Sequence, residues 1–164
     1  MTLPLSSIRL YQPRTCTMKV WPEFNEYGDL PPGIYPGTLS EIVQRFSTTA
    51  RRIVIARRLE RIYQLARSTG HLARFVVFGS FVTAKPEPHD VDIFLLMEDS
   101  FDVRQVSPEA RLVFDHAAAQ NLLGASAFWI RRVAALGGEE ATIAHWQIKR
   151  DGNRRGILEV IGHD

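Results

Sequence analysis

The run Phe75-Val76-Val77-Phe78 stops at Gly79-Ser80, and nine residues later Asp90-Val91-Asp92 opens a second run, Ile93-Phe94-Leu95-Leu96. Short, continuous apolar runs bounded by turn signals read as buried strands. Successive strand residues point to opposite faces, so Asp90 and Asp92 share one face. Two carboxylates held that close repel unless a cation lies between them, and hard divalent ions such as Mg²⁺ take oxygen ligands of this kind. Gly79 lets backbone approach a ligand closely, and Ser80 opens a helical turn whose free N–H groups favour phosphate. The plainer alternative is a β-turn-β connection with two solvated aspartates at a strand mouth. Asp90 and Asp92 interrupt an otherwise buried-looking strand, and burying two unpaired carboxylates there is costly.

The rest of the chain frames that pair. It has 164 residues, 45% of them apolar and 23% charged, enough for one domain with a real core. A net charge of +2 is too small to imply nucleic-acid binding, and the five histidines form no metal-binding pattern. The single cysteine, Cys16, excludes an internal disulfide framework and the common zinc spacings, which fits a cytoplasmic setting. No apolar stretch approaches the roughly 18 residues of a membrane span. Walker A, GxGxxG and GxSxG motifs are absent from the sequence.

Residues 1–17 read as a disordered or non-native start before Met18, and 18–38 as a Pro/Gly-rich extended arm of a single domain spanning 18–164. Thr38 or Ser40 is expected to cap a helix through Phe46, and Ser47 or Thr48 a longer one through Ser68, stopped at Gly70. On that long helix Ile55, Leu59, Ile62 and Ala66 form the buried stripe. Arg51, Arg52, Arg57, Arg58 and Arg61 read as a solvated face, or alternatively as a basic surface for RNA or an acidic partner. Strands follow at 71–78 and 91–97, a helix at 108–123, a strand at 125–130 and a helical piece at 130–136. A closing hairpin is expected from 144–150 and 156–161 around Asp151-Gly152-Asn153. The whole is α+β: a small mixed sheet with helices on one face and a C-terminal β-hairpin.

The Gly79-Ser80 and Asp90-x-Asp92 elements at this spacing resemble the active-site signature of the polymerase-β-like nucleotidyltransferase superfamily. Asp29-Leu30-Pro31-Pro32-Gly33, Gly79-Ser80-Phe81-x-Thr83-x-Lys85 and Asp151-Gly152 with Gly156-Ile157 look more specifically like a family of short, stand-alone microbial proteins of that type. The resemblance implies a minimal nucleotidyltransferase fold. It implies phosphate binding by Gly79, Ser80 and Lys85, and Mg²⁺ (or Mn²⁺) held by the catalytic Asp90 and Asp92. The reaction would move a nucleoside monophosphate from a nucleoside triphosphate to a hydroxyl. A chain of this length has little room for an added RNA-grasping domain, so a protein or small-molecule acceptor is expected ahead of RNA. Relatives usually carry a third carboxylate on a later strand. Here the expected strand offers Ser126, leaving Glu159 and Asp115 as candidates. That gap keeps a second expectation open: a degenerate nucleotide- or partner-binding protein of a toxin–antitoxin or phage-defence system.

Overall fold

In the computed structural model of the chain, residues 21–162 are described, and the expectation for residues 1–17 falls outside them. The protein is α+β, built on a five-stranded mixed sheet of order β1-β5-β2-β3-β4. Its strands are β1 (Ile34–Gly37), β2 (Leu72–Phe78), β3 (Val91–Met97), β4 (Ala125–Arg131) and β5 (Ile157–Val160). β2 pairs antiparallel with both β3 and β5, whereas β3–β4 and β1–β5 are parallel. β3 lies inside the sheet, and every residue of it except Asp92 is buried.

Alternation along the strands separates two apolar layers. On one face Phe75, Val77, Ile93, Leu95, Ala127 and Leu158 pack beneath α1 (Leu39–Phe46) and α2 (Ala50–Ser68). α2 buries the expected stripe of Ile55, Leu59, Ile62 and Ala66. The opposite face carries Val76, Phe94, Leu96 and Ile157, covered by Ile143 of α5 (Glu139–His145) and by Trp146. Helices therefore lie mainly on one face, and α5 is the exception.

Local chemistry explains where the elements begin. Thr38 caps α1 in a reciprocal capping box with Glu41. α2 is capped by Thr49, whose hydroxyl accepts from Arg52 N, and not by Ser47 or Thr48; Ser47 already closes α1 through its own N–H to Val43 O. The helix expected over 108–123 is broken into α3 (Pro108–Arg111), a 3₁₀ turn, α4 (His116–Ala118) and a π-helical turn over Ala119–Leu123. Asp115 causes the break: its backbone is extended and its carboxylate accepts from Ala118 N at 2.9 Å, so it caps the next turn instead of continuing the last.

The closing hairpin is not a hairpin of the sheet. A tight turn forms, with Lys149 N donating to Asn153 O at 2.7 Å, but its ladder is one bridge, Ile148–Arg154. The downstream half departs as β5 and enters the sheet between β1 and β2. The extended arm supplies β1, which pairs with β5, and Gly28 O of the arm accepts from Ala84 N in the loop before β3.

Candidate functional site

The strand registers bring the expected residues to one corner of the sheet. Phe78, the last residue of β2, sits opposite Asp92, and Asp92 sits opposite Ser126 on the other side. Immediately after Phe78 the chain turns into a 3₁₀ turn, Gly79–Val82. Gly79 has φ of +77°, and a Cβ built there would fall 1.8 Å from Asp92 Oδ2. The Asp92 carboxylate thus rests directly on the glycine corner, and only glycine leaves room for it. Ser126 donates from its hydroxyl to Asp90 Oδ2 at 2.9 Å. Gly79, Asp92, Ser126 and Asp90 accordingly form one contiguous group, with Ser80 half-buried beside it.

The electrostatics of that group are unfavourable for a bare protein. Burial pushes the Asp92 carboxyl up to about 6, and the neighbouring Asp90 charge adds to the effect. Arg155, Arg150 and the Ser126 hydroxyl oppose it. Arg155 is itself held at 3.5 Å by buried Asp29, which also takes Lys149 at 3.0 Å. The Asp29 of the arm thereby anchors a cation whose field reaches Asp92.

The loop joining Gly79 to Asp90 is fixed from below by α2. Arg52 is buried, and its guanidinium donates to the carbonyls of Phe46, Phe81, Thr83 and Lys85. Burial lowers its pKa from the usual arginine value. One residue earlier, Arg51 donates to Pro88 O at 3.1 Å and to His89 O at 2.6 Å. Two arginines read from the sequence as surface charges are therefore the clamps of the site's own loop. The signal that could have found them is spacing: they lie four and three residues before Ile55, beside the buried stripe, whereas Arg57 lies on the opposite face.

Three other expectations are redirected. Lys85 is exposed, with its carbonyl tied to Arg52, and the cations acting on Asp92 are Arg155 and Arg150. Those two were hidden in a segment that reads as a hairpin turn. Glu159 faces the same side of the sheet as Asp92, but it pairs with Val76 and is taken by Arg74, whose Nη2 lies 2.7 Å from Glu159 Oε2. That ion pair holds the Arg74 guanidinium above its ordinary pKa. Asp115 is spent on its cap. Neither joins the acid pair, and the position in register with Asp92 is Ser126, as the sequence suggested.

Aromatic rings complete the surroundings on the Asp92 face. Trp146 lies 4.6 Å from Phe78, 4.9 Å from Phe94 and 5.2 Å from Phe128, between ring centroids. Phe128, two residues beyond Ser126 on β4, is 39% exposed and meets His116 at 5.1 Å.

Two carboxylates with a hydroxyl between them suit a hard divalent ion that keeps water and substrate oxygens in its remaining positions. Mg²⁺ is commonly held by one or two carboxylates in this way. No cluster of three or more His, Cys, Asp or Glu suited to a metal occurs among the described residues, so an all-protein cage is not offered. No helix among them is long and apolar enough to cross a membrane.

Searches of curated proteins and of solved structures return no match to this chain. A family profile described as a family of unknown function, DUF6932, matches residues 22–161, which takes in the arm, the glycine corner, the acid pair and β5. The chain belongs to that family.

Proposed function

We propose that this protein is a Mg²⁺-dependent nucleotidyltransferase that moves a nucleoside monophosphate from a nucleoside triphosphate to a hydroxyl acceptor. One observation carries the reading: Asp92, its carboxyl raised to about 6 by burial and by Asp90, rests on the glycine corner. A pair destabilised in this way gains most from a cation. The corner offers backbone N–H groups and the Ser80 hydroxyl to phosphate oxygens, while Arg155 and Arg150 supply positive charge on the same side. The half-exposed Phe128 gives a base an aromatic face, and stacking of that kind contributes about 1–3 kcal/mol. Mn²⁺ fits the same oxygen ligands, and a cytoplasmic setting agrees with the lone cysteine.

In the reaction the acceptor oxygen attacks the α-phosphorus, the bond from that phosphorus to the bridging β-oxygen breaks, and pyrophosphate leaves. Asp90 and Asp92 would hold Mg²⁺, which would supply charge neutralisation at the phosphate oxygens. Arg155 and Arg150 steady the departing pyrophosphate. The Ser126 hydroxyl donates to Asp90 Oδ2 and keeps that carboxylate oriented, and Asp90 would take the hydroxyl proton through its free oxygen. Gly79 and Ser80 hold the phosphate chain in line.

Ser126 in place of a third acid supports a second reading, in which nucleotide or a partner protein is bound without transfer, as in a toxin–antitoxin or phage-defence pair. The test is transfer of label from an α-labelled triphosphate with Mg²⁺ and a cell extract as acceptor source. Transfer that vanishes in Asp90→Asn and Asp92→Asn is expected. If the wild type transfers nothing but Ser126→Asp does, the protein is a binder whose site lacks only the missing charge. Absence of both transfer and Mg²⁺ binding sinks the enzyme reading.

A further inference from the structure

The acid pair is flanked by positive charge on two opposite sides. One flank is Arg150 and Arg155, next to β5. The other, on the β4 side, is a separate cleft of about 500 Å³, lined by Arg58, Arg61, His89, Asp90, Gln120 and Asn121. That volume lies in the range of small-molecule sites. Arg58 is half-buried and has no carboxylate or hydrogen-bond partner among the described residues. Its guanidinium is laid against Gly124, where an added Cβ would fall 2.5 Å from Arg58 Nη1 and where φ is +65°. A glycine in the left-handed region therefore keeps open the space this cation occupies. Arg61, one turn away, has Glu109 at 3.1 Å on an exposed surface as its one ion-pair partner among the described residues. The π-helical turn Ala119–Leu123 also borders the cleft and brings exposed Gln120 and Asn121 to its lining. Such turns recur at functional sites.

We infer that this cleft is the acceptor subsite and that it takes a small phosphomonoester, its phosphate held by Arg58 and Arg61. The planar guanidinium fork of Arg58 matches phosphate oxygens in two parallel hydrogen bonds. The amides of Gln120 and Asn121 supply donors and acceptors for sugar hydroxyls. Asp90 belongs both to this lining and to the acid pair, so a molecule seated here would lie next to the reacting centre. The division of labour follows from charge: triphosphate on the Arg150/Arg155 flank, acceptor phosphate on the Arg58/Arg61 flank, acids between. This inference rests on the nucleotidyl-transfer reading of Asp90 and Asp92.

Calorimetry with ribose 5-phosphate tests it, with ribose as control and a non-hydrolysable nucleoside triphosphate with Mg²⁺ as the probe of the other flank. Ribose 5-phosphate is expected to bind and ribose not. Arg58→Gln and Arg61→Gln should each weaken that binding about tenfold, the worth of a charge-assisted hydrogen bond, and leave triphosphate binding unchanged. Arg61 is exposed, so its variant keeps the test open should Arg58→Gln melt early. Arg58→Lys, which keeps charge without the fork, should recover only part of the affinity. Unchanged binding in both glutamine variants, or its loss in Arg155→Gln instead, overturns the assignment. So does Arg58-dependent binding confined to 5′-phosphorylated RNA, which would mark the cleft as a nucleic-acid site. Wild-type protein that binds ribose 5-phosphate through Arg58 yet never binds the triphosphate leaves the cleft standing and defeats the nucleotidyltransferase reading.

Discussion

Asp92 concentrates the tension in this protein at a single carboxyl. In the unfolded chain it titrates near the ordinary aspartate value of 3.8, and in the folded state at about 6. The folded protein thus holds the proton more tightly, so stability falls as pH rises from about 4 to about 6 and stays reduced above that. Asparagine keeps the shape without the charge. Asp92→Asn is expected to stabilise the metal-free protein by about 2–3 kcal/mol at pH 8, from the size of the shift. The gain should shrink toward zero near pH 4. Urea denaturation at the two pH values checks this, and a gain that is equal at both would show that charge is not its source. Mg²⁺ should raise the melting temperature of the wild type above pH 6 and leave that of the asparagine variant unmoved.

α2 does two jobs at once. Its apolar stripe builds the core by helical periodicity, and its first turn anchors the loop 83–89 through arginine side chains. Arg52 matters most, since it satisfies the carbonyls of Phe46, Phe81, Thr83 and Lys85. Arg52→Met fills similar volume but leaves those acceptors unpaired. A destabilisation of about 3 kcal/mol is expected, because each orphaned buried group costs on the order of 1–3 kcal/mol. Arg52→Lys should restore little, as an ammonium cannot span the same carbonyls. Thermal melting measures the loss, and limited proteolysis should find new cleavage within 83–89. Helix periodicity announces the stripe. It also separates Arg52, three residues before Ile55 and so beside the stripe, from Arg57 on the opposite face; what it does not tell is which loop carbonyls stand ready for Arg52.

At the scale of the whole molecule, the sheet is closed by a late segment placed in its interior. β5 separates β1 from β2 and provides Glu159 for Arg74, so the arm, the glycine corner and the acid pair all depend on residues 157–160. Removing residues 156–164 is expected to abolish cooperative unfolding and not merely to trim an edge. Circular dichroism through a denaturant titration would show a broad, non-sigmoidal transition, whereas a sharp one near the wild-type midpoint refutes the dependence. The α+β class, β3 with Asp92 inside it and Asp90 just ahead of it, the glycine-serine corner and Ser126 opposite Asp92 were all legible along the chain. Each rests on short-range alternation and turn chemistry, which act between residues a few positions apart. Hidden from that reading were the insertion of β5, the break at Asp115, the Asp29–Arg155 link and the cleft around Arg58. Those depend on which distant backbone and charges come to face one another, and burial and pairing across the folded molecule settle that, since no local pattern encodes it.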